Sequence, residues 1–175
     1  MIYINFKSFS FVDNLIETAM TPQLFDFEIV LAKAQKYCAY QERCQWDVEN
    51  KLTEWQVDDE IKDEIVSALI SNNFINEERF ALQFASGKFK IKNWGKHKIK
   101  SELSLKQISK FSINKALNSI SDEEYQLTLH KLIEKKKKEI SAISVFEKNQ
   151  KIGQYLLAKG FESDLVWNAI NETKD

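Results

Sequence analysis

The sequence has few of the residues that interrupt helices or bind metals. It contains 4 glycines and 1 proline among 175 residues, and 43% of its residues are hydrophobic. A β-sheet protein with many tight turns needs more chain-breaking residues, so this composition favours long helices around a substantial core. Two cysteines and two histidines are too scattered for a zinc site, which takes about four ligands. We therefore predict an all-α protein without a metal or cofactor.

The two cysteines do not form a disulfide framework. Cys38 is interpreted as a small buried hydrophobic residue, which suits a reducing cytoplasm. No apolar run approaches the ~20 residues that a membrane span needs, and the N-terminal stretch lacks the basic leader and cleavage site of a signal peptide. We expect a cytoplasmic monomer with no membrane association.

Catalytic motifs are missing as well. No glycine-rich phosphate loop precedes Lys-Ser or Lys-Thr, and no Ser or Cys nucleophile has an obvious base. The acids of Asp58–Glu64 are more typical of a solvated face and an acidic helix start than of a metal site. We predict that the chain is not an enzyme.

A repeat organises what the sequence does contain. Leu52, Leu103 and Leu156 lie 51 and 53 residues apart, each within a similar apolar pattern at helical spacing. Each repeat is interpreted as three helices, which gives about nine helices in an elongated array, straight or curved.

The repeats define the predicted domains. Residues 1–25 have no counterpart and are predicted to be an N-terminal extension, flexible or partly helical, unless translation starts at Met20. Helix starts are predicted at Thr21-Pro22, at Asn76 before an acidic first turn, and at the capping box Ser121–Glu124. The three-helix repeats are expected to occupy residues 26–75, 76–120 and 121–175.

Charge is distributed unevenly along the chain. The formal net charge is −1, yet Gly87–Lys100 holds six lysines and no acid. Asp47–Glu64, in contrast, holds eight acids and two lysines. Such local fields steer a charged partner even when the total charge is near zero.

The lysine-rich stretch predicts a basic ridge. At about 100° per residue, with a helix break at Asn93–Gly95, four lysines align, Lys90 and Lys98 fall away from them, and Ile91 joins the core. Trp94 is expected either to stack on an unpaired base or to anchor the core. The two arginines either form ion pairs between helices or contact the partner. The predicted partner-binding and nucleic-acid-binding residues are Lys88, Lys92, Lys96, Lys100, Trp94, Arg79 and Arg43.

The middle repeat carries ERFA at Glu78–Ala81, then Gly95, then Glu102-Leu103. This pattern resembles the RecX family of bacterial regulators of the RecA recombinase. The YCAYQERC of Tyr37–Cys44 resembles the family's opening helices, and the YLLAKGF of Tyr155–Phe161 resembles its last ones. The order of three related but distinct units carries the resemblance.

The resemblance covers about Ile29 to Ile170, and it implies a function. A RecX-like protein is expected to bind the RecA–single-stranded-DNA filament, along its groove or at its end, with or without direct contact to DNA. It would reduce ATP hydrolysis and strand exchange, and so affect DNA repair, recombination and the SOS response. One departure is Lys106-Gln107-Ile108, where the family often has Lys-Gly-Ile, so a different helix end is expected there.

Two other functions fit the residues alone. Three-helix units of about 50 residues also describe helix-turn-helix DNA-binding modules. The third helix of the middle repeat offers Asn114 and Asn118 for reading bases, although its surroundings are not basic. A scaffold that binds only protein is the other alternative, and unchanged function after charge reversal of the ridge would favour it.

Overall fold

The computed structural model describes residues 27–141 and 144–172, and these ranges contain helices and no strands. The all-α class is therefore confirmed, while the predicted extension at residues 1–25 and the helix start at Thr21-Pro22 lie outside the described residues. The helices are α1 (27–40), α2 (Gln45–Glu54), α3 (Asp59–Ser71), α4 (Glu77–Lys92), α5 (Lys96–Leu105), α6 (Lys110–Asn118), α7 (Asp122–Glu139), α8 (Val145–Lys159) and α9 (Ser163–Glu172).

Two helix starts predicted from the sequence are confirmed by their capping hydrogen bonds. The Asn76 side chain accepts from the backbone N–H of Arg79 at 2.9 Å and begins α4. The Ser121 hydroxyl accepts from the backbone N–H of Glu124 at 3.5 Å and begins α7. Each cap satisfies a backbone donor that the helix itself leaves unpaired.

Five helices end at or next to residues with left-handed backbone conformation. The φ angle is 88° at Gly160, which ends α8, and at the four non-glycine positions it is 58° at Gln56, 58° at Asn73, 51° at Asn93 and 60° at Gln107. Asn93 confirms the predicted break between α4 and α5. Gln107, which stands where the family often has glycine, adopts the conformation that glycine enters most easily. The expected difference from the family's helix end stays a prediction.

The described chain forms two compact units. The first contains residues 27–41 and 48–75, and its core surrounds the fully buried Leu52. Cys38 is buried there, as predicted. At the edge of this core, the rings of Tyr37 and Trp55 pack edge to face with their centroids 6.2 Å apart.

The second unit contains residues 42–47 and all described residues from Asn76 onward. The remaining central leucines, Leu103 and Leu156, are fully buried in its single core. All three central leucines of the repeat therefore occupy core positions, which explains why their spacing is detectable in the sequence.

The buried face of α4 differs from the predicted one. Ile91 was expected in the core but is 75% exposed. The buried residues of this helix are Phe80, Ala81, Ala85 and Phe89. The two alanines mark the centre of the buried face. A projection based on large apolar side chains misses them, because small residues allow helices to pack closely but contribute little to the hydrophobic pattern.

The start of α5 lies against the end of α8 through direct backbone contacts. The Gly95 N–H donates to the Lys159 carbonyl at 2.8 Å, and the His97 N–H donates to the Gly160 carbonyl at 3.0 Å. A Cβ on Gly95 would lie only 2.1 Å from the Gly160 oxygen. Only glycine fits at this position, so the joint between α4 and α5 is held at the C-terminal end of α8.

Tyr125 of α7 reinforces the same junction. Its hydroxyl accepts from the Lys96 N–H at 2.8 Å and donates to the Glu162 carboxylate at 2.7 Å. Burial raises the pKa of Tyr125, and the Glu162 carboxylate raises it further. The hydroxyl therefore stays protonated and links the segments on either side of it.

Within the described residues, no helix combines the length and the apolar character required to cross a membrane.

Candidate functional site

Two lysines from different helices meet at the ring of Trp94. The Lys88 Nζ lies 4.9 Å from the ring centroid, and the Lys98 Nζ lies 4.8 Å from it. Trp94 itself is partly buried against the core of the second unit. Trp94 therefore contacts the core, as one of its two expected roles requires, while stacking on a base stays a prediction. Lys98, which the projection placed away from the ridge, lies beside the ring.

A second aromatic ring has the same environment. The Lys136 Nζ lies 4.5 Å from the centroid of the half-buried Tyr155, and the Lys159 Nζ lies 5.7 Å from it. The Lys159 ammonium also donates to the Lys92 carbonyl at 2.9 Å, which joins this group to the end of α4. We define the basic cluster as Lys88, Lys92, Trp94, Lys98, Lys136, Tyr155 and Lys159.

Several of these lysines lie close enough to Lys159 to disfavour its protonated form. The pKa of Lys159 is lowered, first by burial and then by the positive charges of Lys98, Lys135, Lys136 and Lys92. Like charges held together disfavour one another's protonated forms. An anion bound at the cluster would relieve this repulsion.

Carboxylates neutralise only one edge of the basic cluster. Glu139 accepts from Lys136 at 2.6 Å and lies 3.8 Å from Lys135. Across residues 27–141 and 144–172, no carboxylate lies within 4.0 Å of the Nζ of Lys88, Lys98 or Lys159. The side of the cluster near Trp94 therefore keeps its positive charge.

The structure divides the four lysines of the predicted ridge. Lys88 and Lys92 enter the basic cluster because, at about 100° per residue, they fall on the same side of α4 as its buried alanines. Lys96 instead forms an ion pair with Asp122 at 2.9 Å, and Lys100 is exposed on α5.

The two arginines are not part of the basic cluster. Arg79 forms an ion pair with Glu42 at 2.7 Å, but Glu42 lies between α1 and α2, so the pair does not join two helices as was expected. Arg43 is half-buried in the same segment as Glu42.

No sequence pattern predicted that Tyr155 and Lys159 belong to this cluster. Lys159 is 61 residues from Lys98 in the chain, and no local pattern connects the two. Folding brings them together through the contact of Gly95 with Gly160. The sequence feature that could have pointed to them is YLLAK, which carries an aromatic residue and a lysine. This segment resembles the family, but the resemblance implied no role for either residue.

Two other groups of polar residues are structural. Cys44 is buried, and desolvation together with its hydrogen bond to Asp47 raises its pKa to about 12, so the thiol is not a nucleophile at neutral pH. Glu77 accepts hydrogen bonds from Ser109 and Ser112, both hydroxyl contacts at 2.6 Å. Burial opposes ionisation of Glu77, but these bonds outweigh it and lower the pKa of the carboxyl group.

In the part of the chain that is described, no group of three or more His, Cys, Asp and Glu side chains could hold a metal ion. Asn114 and Asn118 line a shallow depression on α6, beside the exposed ring of Phe111. Lys115, which also lines it, is paired with Glu78.

Comparisons with known proteins match both domains that build the basic cluster. The family model described as the second three-helix domain of RecX matches residues 76–117, and the model of the third three-helix domain matches residues 122–170. The crystal structure of RecX from Lactobacillus salivarius has a TM-score of 0.75 and 30% sequence identity, covering 85% of this chain and 97% of that one. The chain belongs to the RecX family. The resemblance expected from the sequence is thus confirmed.

Other RecX proteins are similar over most of this chain. "Regulatory protein RecX" of Bacillus cytotoxicus is 28% identical over 154 residues, covering 87% of this chain and 57% of the relative. The protein of the same name from Bacillus thuringiensis (strain Al Hakam) is 29% identical over 161 residues, covering 91% and 60%. The chain therefore spans about 60% of the length of the curated relatives it matches.

A second crystal structure, of regulatory protein RecX, supports the fold. It has a TM-score of 0.75 at 23% identity and covers 94% of this chain and 80% of that one. The basic cluster lies entirely within the two matched RecX domains, since Lys88 to Lys98 belong to the second and Lys136 to Lys159 to the third.

Proposed function

We propose that this chain is a cytoplasmic, non-enzymatic regulator that binds the filament of RecA and single-stranded DNA and inhibits it. The observation that carries the proposal is the RecX match over both three-helix domains of the second unit. Bound to the filament, the chain would lower ATP hydrolysis and strand exchange, with consequences for DNA repair, recombination and the SOS response.

The charge distribution supports a filament rather than a small molecule as the target. A protein–DNA filament presents a repeated array of phosphates and protein surface, and lysines contact phosphates without reading sequence. We place the contact surface at Lys88, Lys92, Trp94 and Lys100. Lys96 and Arg79 are held in ion pairs within the chain, so they contribute to the surface mainly by positioning their neighbours.

The direct test is the ATPase activity of RecA on single-stranded DNA at substoichiometric amounts of this protein. We expect the ATPase rate to fall. Reversing two charges, Lys88→Glu with Lys92→Glu, should weaken the inhibition, whereas Lys90→Glu with Lys110→Glu should not, because Lys90 and Lys110 are exposed residues outside the basic cluster. No change in ATPase rate, filament length or strand exchange with the unaltered protein would refute the proposal.

A further inference from the structure

Lys159 is anchored at both its backbone and its side-chain end to the joint between α4 and α5. Its carbonyl accepts a hydrogen bond from the Gly95 N–H at 2.8 Å, and its ammonium donates to the Lys92 carbonyl at 2.9 Å. We propose that Lys159 is a site of acylation, where the amine takes an acyl group from an acyl phosphate such as acetyl phosphate without the help of an enzyme. The reaction is a property of this chain alone and does not depend on the proposed function.

The anchoring holds the Lys159 nitrogen in one place on the surface. Most surface lysines sample many rotamers, and each must lose that freedom before its nitrogen can attack in a fixed geometry. A neutral amine keeps two N–H groups, so one of them can stay on the Lys92 carbonyl while the lone pair attacks. The side chain is half-buried and not enclosed, so a small reagent can reach it.

Positive charges surround the Lys159 amine from three neighbouring helices. Lys92 lies at the end of α4, Lys98 lies on α5, and Lys135 and Lys136 lie on α7. Burial, and then these four charges, lower the pKa of Lys159. A larger fraction of its amine is therefore neutral and nucleophilic at a given pH, which is how an adjacent cation activates a lysine.

No acid competes for this amine within residues 27–141 and 144–172, where no carboxylate lies within 4.0 Å of the Lys159 Nζ. Glu139 pairs with Lys135 and Lys136 instead, at 3.8 and 2.6 Å. A carboxylate partner would favour the protonated form of Lys159. The amine is therefore left to solvent and to whatever anion the surrounding lysines attract.

The same charges favour an acyl donor that carries a phosphate. Clustered positive charge raises the local concentration of small anions, and lysines bind phosphate as mobile point charges. Lys98 has no carboxylate partner among the described residues, so it can approach the phosphate while Lys159 attacks the acyl group. A neutral ester would gain nothing from these charges.

The transfer needs no reactant besides the acyl phosphate. The lone pair of the neutral Lys159 amine attacks the carbonyl carbon of acetyl phosphate, and a C–N bond forms. The C–O bond to the phosphate breaks, inorganic phosphate leaves with its electron pair, and the proton of the attacking nitrogen passes to solvent. The amide product keeps an N–H for the Lys92 carbonyl but has no charge, so the basic cluster loses one positive charge.

The test is brief exposure of the full chain to acetyl phosphate at about pH 8, where ordinary lysines are almost fully protonated. The remaining lysines are then labelled with heavy acetic anhydride in denaturant, so that mass spectrometry gives the fraction acetylated at each position. Lys90 and Lys110, which are exposed and outside the basic cluster, are the reference lysines.

We expect Lys159 to react at least about threefold faster than either reference lysine, because a lower pKa raises the neutral fraction more than it weakens the nucleophile, as it does for thiols. Its rate should also level off at a lower pH than theirs, since a group with a lowered pKa is fully deprotonated earlier as pH rises.

Matched variants separate the local charges from general charge. Lys98→Ala removes one like charge and keeps the Cβ that lies against Gly160, so Lys159 should react about twofold or more slowly. Lys90→Ala removes the same charge elsewhere on the surface and should change the rate by less than about 1.5-fold because solvent and salt screen it. Lys92→Ala, which keeps the carbonyl that accepts from Lys159, replaces Lys98→Ala if circular dichroism shows that variant to be unfolded.

The choice of donor is tested with p-nitrophenyl acetate, a neutral ester. The preference for Lys159 over the reference lysines should be greater with acetyl phosphate than with the ester. It should also fall more steeply with acetyl phosphate as salt rises from about 50 to 200 mM, since salt screens the attraction for the phosphate.

Three results would overturn the proposal. The first is a Lys159 that reacts no faster than Lys90 and Lys110, and the second is an equal change of its rate in Lys98→Ala and Lys90→Ala. The third is an equal preference for Lys159 with both donors, which would exclude an acyl phosphate as the favoured reagent. None of these results bears on inhibition of RecA, which the ATPase assay measures separately.

Discussion

Two glycine-to-alanine substitutions should change stability in opposite directions. Gly95→Ala places a Cβ 2.1 Å from the Gly160 carbonyl oxygen, far inside van der Waals contact. Gly87→Ala places the same atom inside α4 with nothing within 4 Å. The chemical change is identical, so the difference reports the close approach of α5 to α8.

The size of the effect follows from the bonds that must break. Relieving the clash moves the start of α5 away from α8. This movement removes the hydrogen bonds donated by the Gly95 and His97 N–H groups, and it strains the hydrogen bond that the Lys96 N–H donates to the Tyr125 hydroxyl. Each net contribution is about 1 kcal/mol, so we expect a loss of about 2–4 kcal/mol in the free energy of unfolding. Gly87→Ala should gain about 0.5–1 kcal/mol, the helix-propensity difference between glycine and alanine.

Urea unfolding followed by far-UV circular dichroism measures both values. A difference of about 3 kcal/mol should also separate the melting temperatures by roughly 6–12 °C for a chain of this size. If the free energy of unfolding of Gly95→Ala stays within about 1 kcal/mol of that of the unaltered protein, the close approach of α5 to α8 does not determine stability. A destabilising Gly87→Ala would refute the assignment of open space at that position.

Three further predictions concern a helix end, an ionisable group and the corrected face of α4. Gln107→Gly should stabilise the protein by about 0.5–1 kcal/mol in urea unfolding, because glycine adopts φ near 60° without the penalty of a side chain; a loss of stability would contradict this. The pKa of Glu77 in the folded state lies below its usual value near 4.5, so its hydrogen bonds stabilise the fold above that pH and are lost as pH falls through the folded-state pKa. The stability advantage over Glu77→Gln should therefore shrink between about pH 6 and pH 3, and a pH-independent difference would show that ionisation of Glu77 is not involved. Ile91→Gln should change the free energy of unfolding by less than about 0.5 kcal/mol because Ile91 is exposed, whereas Ile99→Ala should cost about 2–5 kcal/mol because Ile99 is buried. Comparable losses of the two variants in thermal unfolding would show that Ile91 is part of the core.

The helices were predictable because their signals are local. Asn76 and Ser121 each cap a helix through a neighbour three residues away, and the spacing of Leu52, Leu103 and Leu156 follows from one core position repeated in each unit. Capping and periodicity depend on residues within one or two helical turns, so both can be recognised in the sequence without knowing the partner helix.

The buried face of α4 was less predictable. Large apolar residues suggested a stripe that included Ile91, but the core contacts α4 through Ala81 and Ala85. Which face of a helix is buried depends on the shape of the neighbouring helix, and small residues carry little hydrophobic signal of their own.

The sequence alone determined the all-α class, the repeated core leucines, the family resemblance and the concentration of lysines around Trp94. The tertiary structure decided which lysines lie together. It paired Lys96 with Asp122, turned Lys98 toward Trp94, and added Lys159 from the third domain. The physical reason is that a charged surface is assembled by contacts between residues far apart in the chain, here through the approach of two glycine backbones that leaves no trace in local periodicity.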